Sequence, residues 1–194
     1  GDTTKNLHNT VLSLTIFSDL KDKKFIKRSS AKLNNFIYVT GTIGDSSLGL
    51  FCRNNPDFHL LKKYSEYLKN RYLLPKPRIE LANFINKNAT SSTDISDGLY
   101  SDLKNICMTS NLGAEINFSK IPLSTAASKI IKENPKLKTR IINGGDDYEI
   151  LFTGPDGLEK KKNITKIGKM TKGNQINLID FDDRINLDGY KHEI

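Results

Sequence analysis

The sequence predicts an α/β (α+β) fold, a mixed sheet with helices packed on it, and three observations carry that expectation. Short runs rich in β-branched and apolar residues recur along the chain, among them Phe36-Ile37-Tyr38-Val39 and Ile150-Leu151-Phe152-Thr153. Between them lie segments of about ten residues whose apolar positions fall at helical spacing. At 194 residues the chain is long enough to bury one full hydrophobic core, with room for a piece of a second domain.

In chain order, Thr10 to Phe17 alternates polar and apolar residues and predicts a strand. Asp19 to Lys27 is a charged connector with Phe25 and Ile26 as anchors, and a domain boundary is expected there. A strand at Phe36 to Val39 leads into Thr40-Gly41-Thr42-Ile43-Gly44-Asp45-Ser46-Ser47 and then a helix. Two readings of that loop stand side by side. It can present backbone N–H groups to a phosphate, or Gly41 and Gly44 serve a tight turn and Asp45 or Ser46 caps the helix. Neither a G-K-[ST] loop nor a G-x-G-x-x-G fingerprint is present.

Leu60, Leu61, Tyr64, Tyr67 and Leu68 have the spacing of a helical core face, which Pro75 and Pro77 terminate before a second helix begins at Ile79. Gly113 to Phe118 reads as a strand, and Ser124 opens a helix carrying Ala126, Ala127, Ile130 and Ile131. Ile164 to Ile167 and Ile176 to Ile179 are strands that the glycine-bearing segment between them would join as a hairpin.

Chemistry concentrates in two stretches. In Ser91-Ser92-Thr93-Asp94-Ile95-Ser96-Asp97-Gly98-Leu99, two carboxylates stand three residues apart at a strand-to-helix turn. The helix is marked by Leu99, Leu103, Ile106 and Cys107 at i, i+4, i+7 and i+8. Two ionised carboxylates this close repel unless a cation shares them, and hard oxygen donors suit magnesium with waters and substrate phosphates. The plainer reading makes Ser96 or Asp97 an N-cap. In the second stretch, Gly144-Gly145-Asp146-Asp147-Tyr148-Glu149, acids precede a strand behind two glycines. They would contact a cationic substrate or order a neighbouring side chain, or form a plain turn with solvated acids.

The formal net charge is +8, but lysines are scattered among Asn and Ile along the chain. The densest run, Lys160-Lys161-Lys162, has no interleaved aromatic residue, so a solvated face is expected rather than a nucleic-acid surface or a membrane surface. No stretch approaches the roughly 18 apolar residues of a membrane span. Cys52 and Cys107 are too few for a disulfide scaffold. Gly1-Asp2-Thr3-Thr4-Lys5 carries no secretory leader, and a cytoplasmic location is expected.

The motifs together resemble the bacterial thiamine-monophosphate kinase family. Thr93 to Leu99 is similar to its I-D-[IL]-S-D-G-L signature, and Gly1-Asp2-Thr3-Thr4 to the end of its G-G-D-T-T. Arg28-Ser29-Ser30-Ala31-Lys32 and Tyr38 to Ser46 are similar to its R-S-G-A-K and Y-V-T-G-T-x-G-D-[SA]. Gly144 to Glu149 is similar to its G-G-E-D-Y-E, with Asp146 where the family usually has Glu.

The resemblance implies transfer of the ATP γ-phosphoryl group to thiamine monophosphate, with magnesium and a stimulating monovalent cation such as K+. It implies Asp2, Asp94 and Asp97 as magnesium ligands, Arg28 and Ser96 as ATP contacts, and Asp146 and Tyr190 as substrate contacts. It also implies the carboxy-terminal-domain fold of the aminoimidazole-ribonucleotide synthetase superfamily over residues 29–194. Residues 1–28 would be the end of an amino-terminal ATP-binding domain, the full-length protein would be a homodimer, and the chain alone would be inactive. The competing expectations are another ATP-dependent enzyme of that superfamily, or a non-catalytic basic binding domain.

Overall fold

The computed structural model describes residues 24–181 together with Leu14, Thr15 and Phe17. Asp2, Tyr190 and most of the strand expected over Thr10 to Phe17 lie outside the described residues; Leu14, Thr15 and Phe17 are in no strand. Six strands form one sheet: β1 (Phe36–Thr40), β2 (Ser91–Asp94), β3 (Gly113–Asn117), β4 (Ile150–Gly154), β5 (Ile164–Thr171) and β6 (Ile176–Ile179). Their order is β2-β4-β1-β5-β3-β6. All neighbours are antiparallel except β3 and β6, which run parallel. The sheet is mixed, as expected.

The helices are α1 (Asp45–Asn54), α2 (Lys62–Leu73), α3 (Ala82–Asn88), α4 (Leu99–Ser110), α5 (Thr125–Glu133) and α6 (Lys138–Asn143). They cover both faces of the sheet, and this explains why β1 and β4 read as continuous apolar runs. Alternate residues part company: Ile37, Val39 and Leu151 enter the larger core with Leu48, Leu103, Ile130 and Ile141. Tyr38 and Phe152 face the other way, their rings stacked at 5.3 Å, and pack with Leu81 and Ile85. On α4 the four residues at helical spacing, Leu99, Leu103, Ile106 and Cys107, are all buried. Ser124 caps α5 by accepting from the Ala127 amide at 3.0 Å.

One expectation fails here and another holds only in part. Strands β5 and β6 do not form a hairpin, because β3 lies between them, pairing antiparallel with β5 and parallel with β6. Ala114 and Ile116 on β3 are fully buried and need an interior position, whereas β6 exposes alternate residues and suits an edge. The core face expected at α2 is realised only in part: Leu68 is buried and Leu60 and Tyr64 pack partly buried against the larger core, but Leu61 is 65% and Tyr67 42% exposed. Among the described residues no helix is long and apolar enough to cross a membrane.

Candidate active site

Because β2 runs antiparallel to β4, the end of one strand adjoins the start of the other, with Asp94 opposite Ile150. The loop leaving β2 and the loop entering β4 therefore meet. The Ile95 amide donates to the Glu149 carbonyl at 2.8 Å, the Tyr148 amide to the Ile95 carbonyl at 2.9 Å, and the Asp146 amide to the Ser96 carbonyl at 2.9 Å. So the two chemistry-bearing stretches, about fifty residues apart in sequence, form one structural unit. Gly145 is required at this crossing, since a Cβ there would run into the Ser96 carbonyl oxygen. Asp146 and Tyr148 both adopt positive φ, 65° and 50°, a conformation uncommon for residues other than glycine.

The unit forms one wall of a cleft of about 570 Å³, lined by Ser96, Asp97 and Asp146 together with Tyr72, Arg140 and Tyr148. Asp97 and Asp146 thus line one space. Asp94 and Arg28 lie elsewhere. They line a separate depression with Ser92 and Thr93, where the Arg28 Nε donates to the Thr93 hydroxyl at 3.0 Å and Nη2 stands 3.9 Å from Asp94.

Neither Ser96 nor Asp97 caps α4. The N-cap position is Gly98, with φ 111°, and the loop amides are held instead by Asp102 from inside the helix. Its Oδ2 accepts from the Ser96 amide at 3.1 Å and the Asp97 amide at 3.0 Å. Burial pushes the Asp102 carboxyl up to about 6, the two amides pull it down, and the charges of Asp97 and Asp94 push it further up. With its loop amides held this way, Asp97 keeps a carboxylate that accepts no hydrogen bond from any described residue.

Asp94 and Asp97 are hard oxygen donors of the kind a divalent cation takes, and among the described residues neither is consumed by a close ion pair, but they line different depressions. Among the described residues no group of three His, Cys, Asp or Glu is placed to hold a metal ion, so Asp94 and Asp97 offer an incomplete set that water, phosphate or a further acid would have to fill.

The remaining acids of the second stretch are structural. Asp147 is fully buried and accepts from the Gly44 and Ser46 amides at 2.5 and 3.0 Å, so it caps α1 from across the molecule. Burial raises its carboxyl to about 7, against the opposing pull of the two amides. Asp45 does not cap its own helix; its carboxylate takes hydrogen bonds from Thr42 at 2.6 Å, Ser124 at 2.6 Å and Tyr67 at 3.2 Å.

Glu149 is fully buried and bound by two arginines. Arg71 Nη2 reaches it at 3.0 Å, Arg78 Nε at 2.6 Å, and Arg78 Nη2 adds a second, very short contact. The Thr40 hydroxyl donates to it at 2.7 Å. The sequence reading gave Arg71 and Arg78 no role. The available signal was two arginines flanking a proline pair, in a chain whose other cations are mostly lysine.

Residues 34–180 match the family described as AIR synthase related protein, C-terminal domain. The chain is 36% identical over 175 residues to a thiamine-monophosphate kinase of Buchnera aphidicola, covering 89% of this chain and 51% of that protein. It is 38% identical over 156 residues to the thiamine-monophosphate kinase of Escherichia coli, covering 80% and 47%. Among solved structures, "AaThiL complexed with AMPPCP and TMP" superposes with a TM-score of 0.76 at 30% identity, over 88% of this chain and 55% of that one. The chain spans about half the length of the curated relatives it matches.

Proposed function

The chain belongs to the AIR synthase related proteins through their C-terminal domain, and on that premise we propose that it is part of an ATP-dependent kinase converting thiamine monophosphate to thiamine diphosphate. The observation that carries this reading is the single cleft in which Ser96 and Asp97 from one motif face Asp146 from the other. Relatives named thiamine-monophosphate kinase support it. So does a similar protein holding the ATP analogue AMPPCP and TMP, which we take as thiamine monophosphate.

The reaction moves the γ-phosphoryl group of ATP to a phosphate oxygen of thiamine monophosphate: one P–O bond breaks toward ADP as the new P–O bond forms. It needs little covalent help, so the protein's work is to align two anions and balance their charge. Arg28, with a planar, permanently charged fork, contacts the nucleotide phosphates, and Ser96 adds an ATP contact. Asp146 and Tyr190 hold the thiamine side of the substrate. A magnesium ion held by Asp2, Asp94 and Asp97 would offset phosphate charge when bound, and K+ would stimulate the reaction. Asp102 keeps Asp97 presented through its two loop amides, and Glu149 anchors the start of β4 beside them.

Residues 1–28 are in this reading the end of an amino-terminal ATP-binding domain and 29–194 the carboxy-terminal domain of a cytoplasmic homodimer. The 194-residue chain alone would then be inactive, and a turnover assay should detect no product from it. The deciding experiment is calorimetry of the full-length protein with thiamine monophosphate and a non-hydrolysable ATP analogue, with and without magnesium. Wild type should bind both, and Asp94→Asn with Asp97→Asn should lose magnesium-dependent nucleotide binding. Nucleotide binding without thiamine monophosphate binding would assign the chain to a sister enzyme instead.

A further inference from the structure

We infer that Arg140 is the anion-binding element of the cleft and that it makes the site prefer a phosphorylated cation over the same cation without its phosphate. The inference rests on the proposed substrate and deepens it. Arg140 lies in the last turn of α6, and among the described residues lining the cleft it is the one cationic side chain, sharing that lining with Asp97 and Asp146.

Its charge is not spent on those acids. Among the described residues its guanidinium makes no ion pair or hydrogen bond. It is held instead against an aromatic face, with Cζ 5.1 Å from the centre of the Phe51 ring. That contact orients the head group without consuming its donors. The backbone is fixed as well, because the Arg140 carbonyl accepts from the Gly144 amide at 3.1 Å, linking the residue to the loop that carries Asp146. A guanidinium presents a planar fork that matches the oxygens of a phosphate.

The cleft is therefore amphoteric, with acids from the two motif loops and a guanidinium from α6. Such a lining fits a ligand that carries both signs, and thiamine monophosphate has a cationic ring and a phosphate. Thiamine has the ring alone. Asp146 can serve either molecule, whereas Arg140 has a partner only in the phosphorylated one. The residue thus separates two ligands that a purely acidic cleft would hold alike.

The test is calorimetric titration of thiamine monophosphate and of thiamine into the full-length protein, as wild type, Arg140→Gln and Arg140→Lys, with thermal unfolding as a folding control. Loss of a charge-assisted bond predicts that Arg140→Gln weakens thiamine monophosphate by about 10- to 100-fold and leaves thiamine within about twofold of wild type. Arg140→Lys, a point charge without the fork, should fall between the two, and it decides the matter should Arg140→Gln fail to fold. Equal weakening of both ligands would reduce Arg140 to a packing role on Phe51 and overturn the inference. Unchanged thiamine monophosphate affinity in the variants, with a wild type that binds, would overturn it alone. A wild type that binds neither ligand would overturn the substrate reading, and the inference with it.

Discussion

Replacing Glu149 by Gln changes almost no volume, yet it removes the charge on which two largely buried arginines depend. Glu149 is fully buried, and the Arg71 and Arg78 side chains are 11% and 18% exposed, so solvent screens the network little. Removing one partner from a buried ion pair costs about 3–5 kcal/mol, because the other charge is left without compensation. Here Arg71 keeps Asp45 at 3.8 Å, and Arg78 keeps the half-exposed Glu80 at 3.7 Å. The lower end, about 3 kcal/mol, is therefore expected. With a urea slope of about 2 kcal/mol/M, the midpoint should fall by about 1.5 M. Equilibrium urea unfolding of Glu149→Gln measures this directly. A loss below about 1 kcal/mol would refute the reasoning, since it would mean the network behaves as an exposed salt bridge.

Three further outcomes are expected. The native Asp147 carboxyl, raised to about 7, keeps a proton that the unfolded chain releases near pH 4, so its stabilising contribution is present below about pH 4 and is lost as pH rises through about 7. Over that window wild type should lose up to about 4 kcal/mol relative to Asp147→Asn; parallel pH profiles of urea midpoints for the two proteins would remove this account. Burial raises the Cys52 thiol and pushes Cys107 up to about 11, so both should resist a disulfide-exchange reagent at pH 8 and react once the chain is unfolded in urea. Gly145→Ala would drive a methyl group into the Ser96 carbonyl and part the two motif loops; thiamine monophosphate binding should fall at least about tenfold, and unchanged calorimetric affinity would contradict the proposed unity of the loops.

The readable parts of this fold are those governed by local periodicity. Leu99, Leu103, Ile106 and Cys107 announce the buried face of α4 because a helix repeats every 3.6 residues wherever it lies, and Phe36 to Val39 announces a strand in the same way. The hairpin expected between β5 and β6 fails because pairing is not local. The turn chemistry between Ile167 and Ile176 is compatible with two partners, and the burial of Ala114 and Ile116 on β3 decides between them. α6 escapes for a related reason: six residues span too few turns to show a periodicity.

The site separates along the same line. Its acids are visible in sequence because motif spacing displays them, but their division of labour is set by what each meets in space. Asp146, Asp147 and Glu149 are near neighbours in the chain, and spacing alone offers no means of ranking them; only the family resemblance singles out Asp146. The positive φ of Asp146 and Tyr148 turns the backbone so that Asp146 lines the cleft while Asp147 and Glu149 are buried, one on the amides of Gly44 and Ser46 and the other on Arg71 and Arg78. The same holds for the cap of α1: Asp45 stands at the first helical position, where local rules look for a cap, but its carboxylate is occupied by Thr42, Ser124 and Tyr67. The helix N-terminus is then available to an acid from a loop about a hundred residues away. A buried acid in this chain is thus the means by which distant motifs are held in one place, and the acids left lining the cleft, Asp97 and Asp146, are the ones placed to meet a ligand.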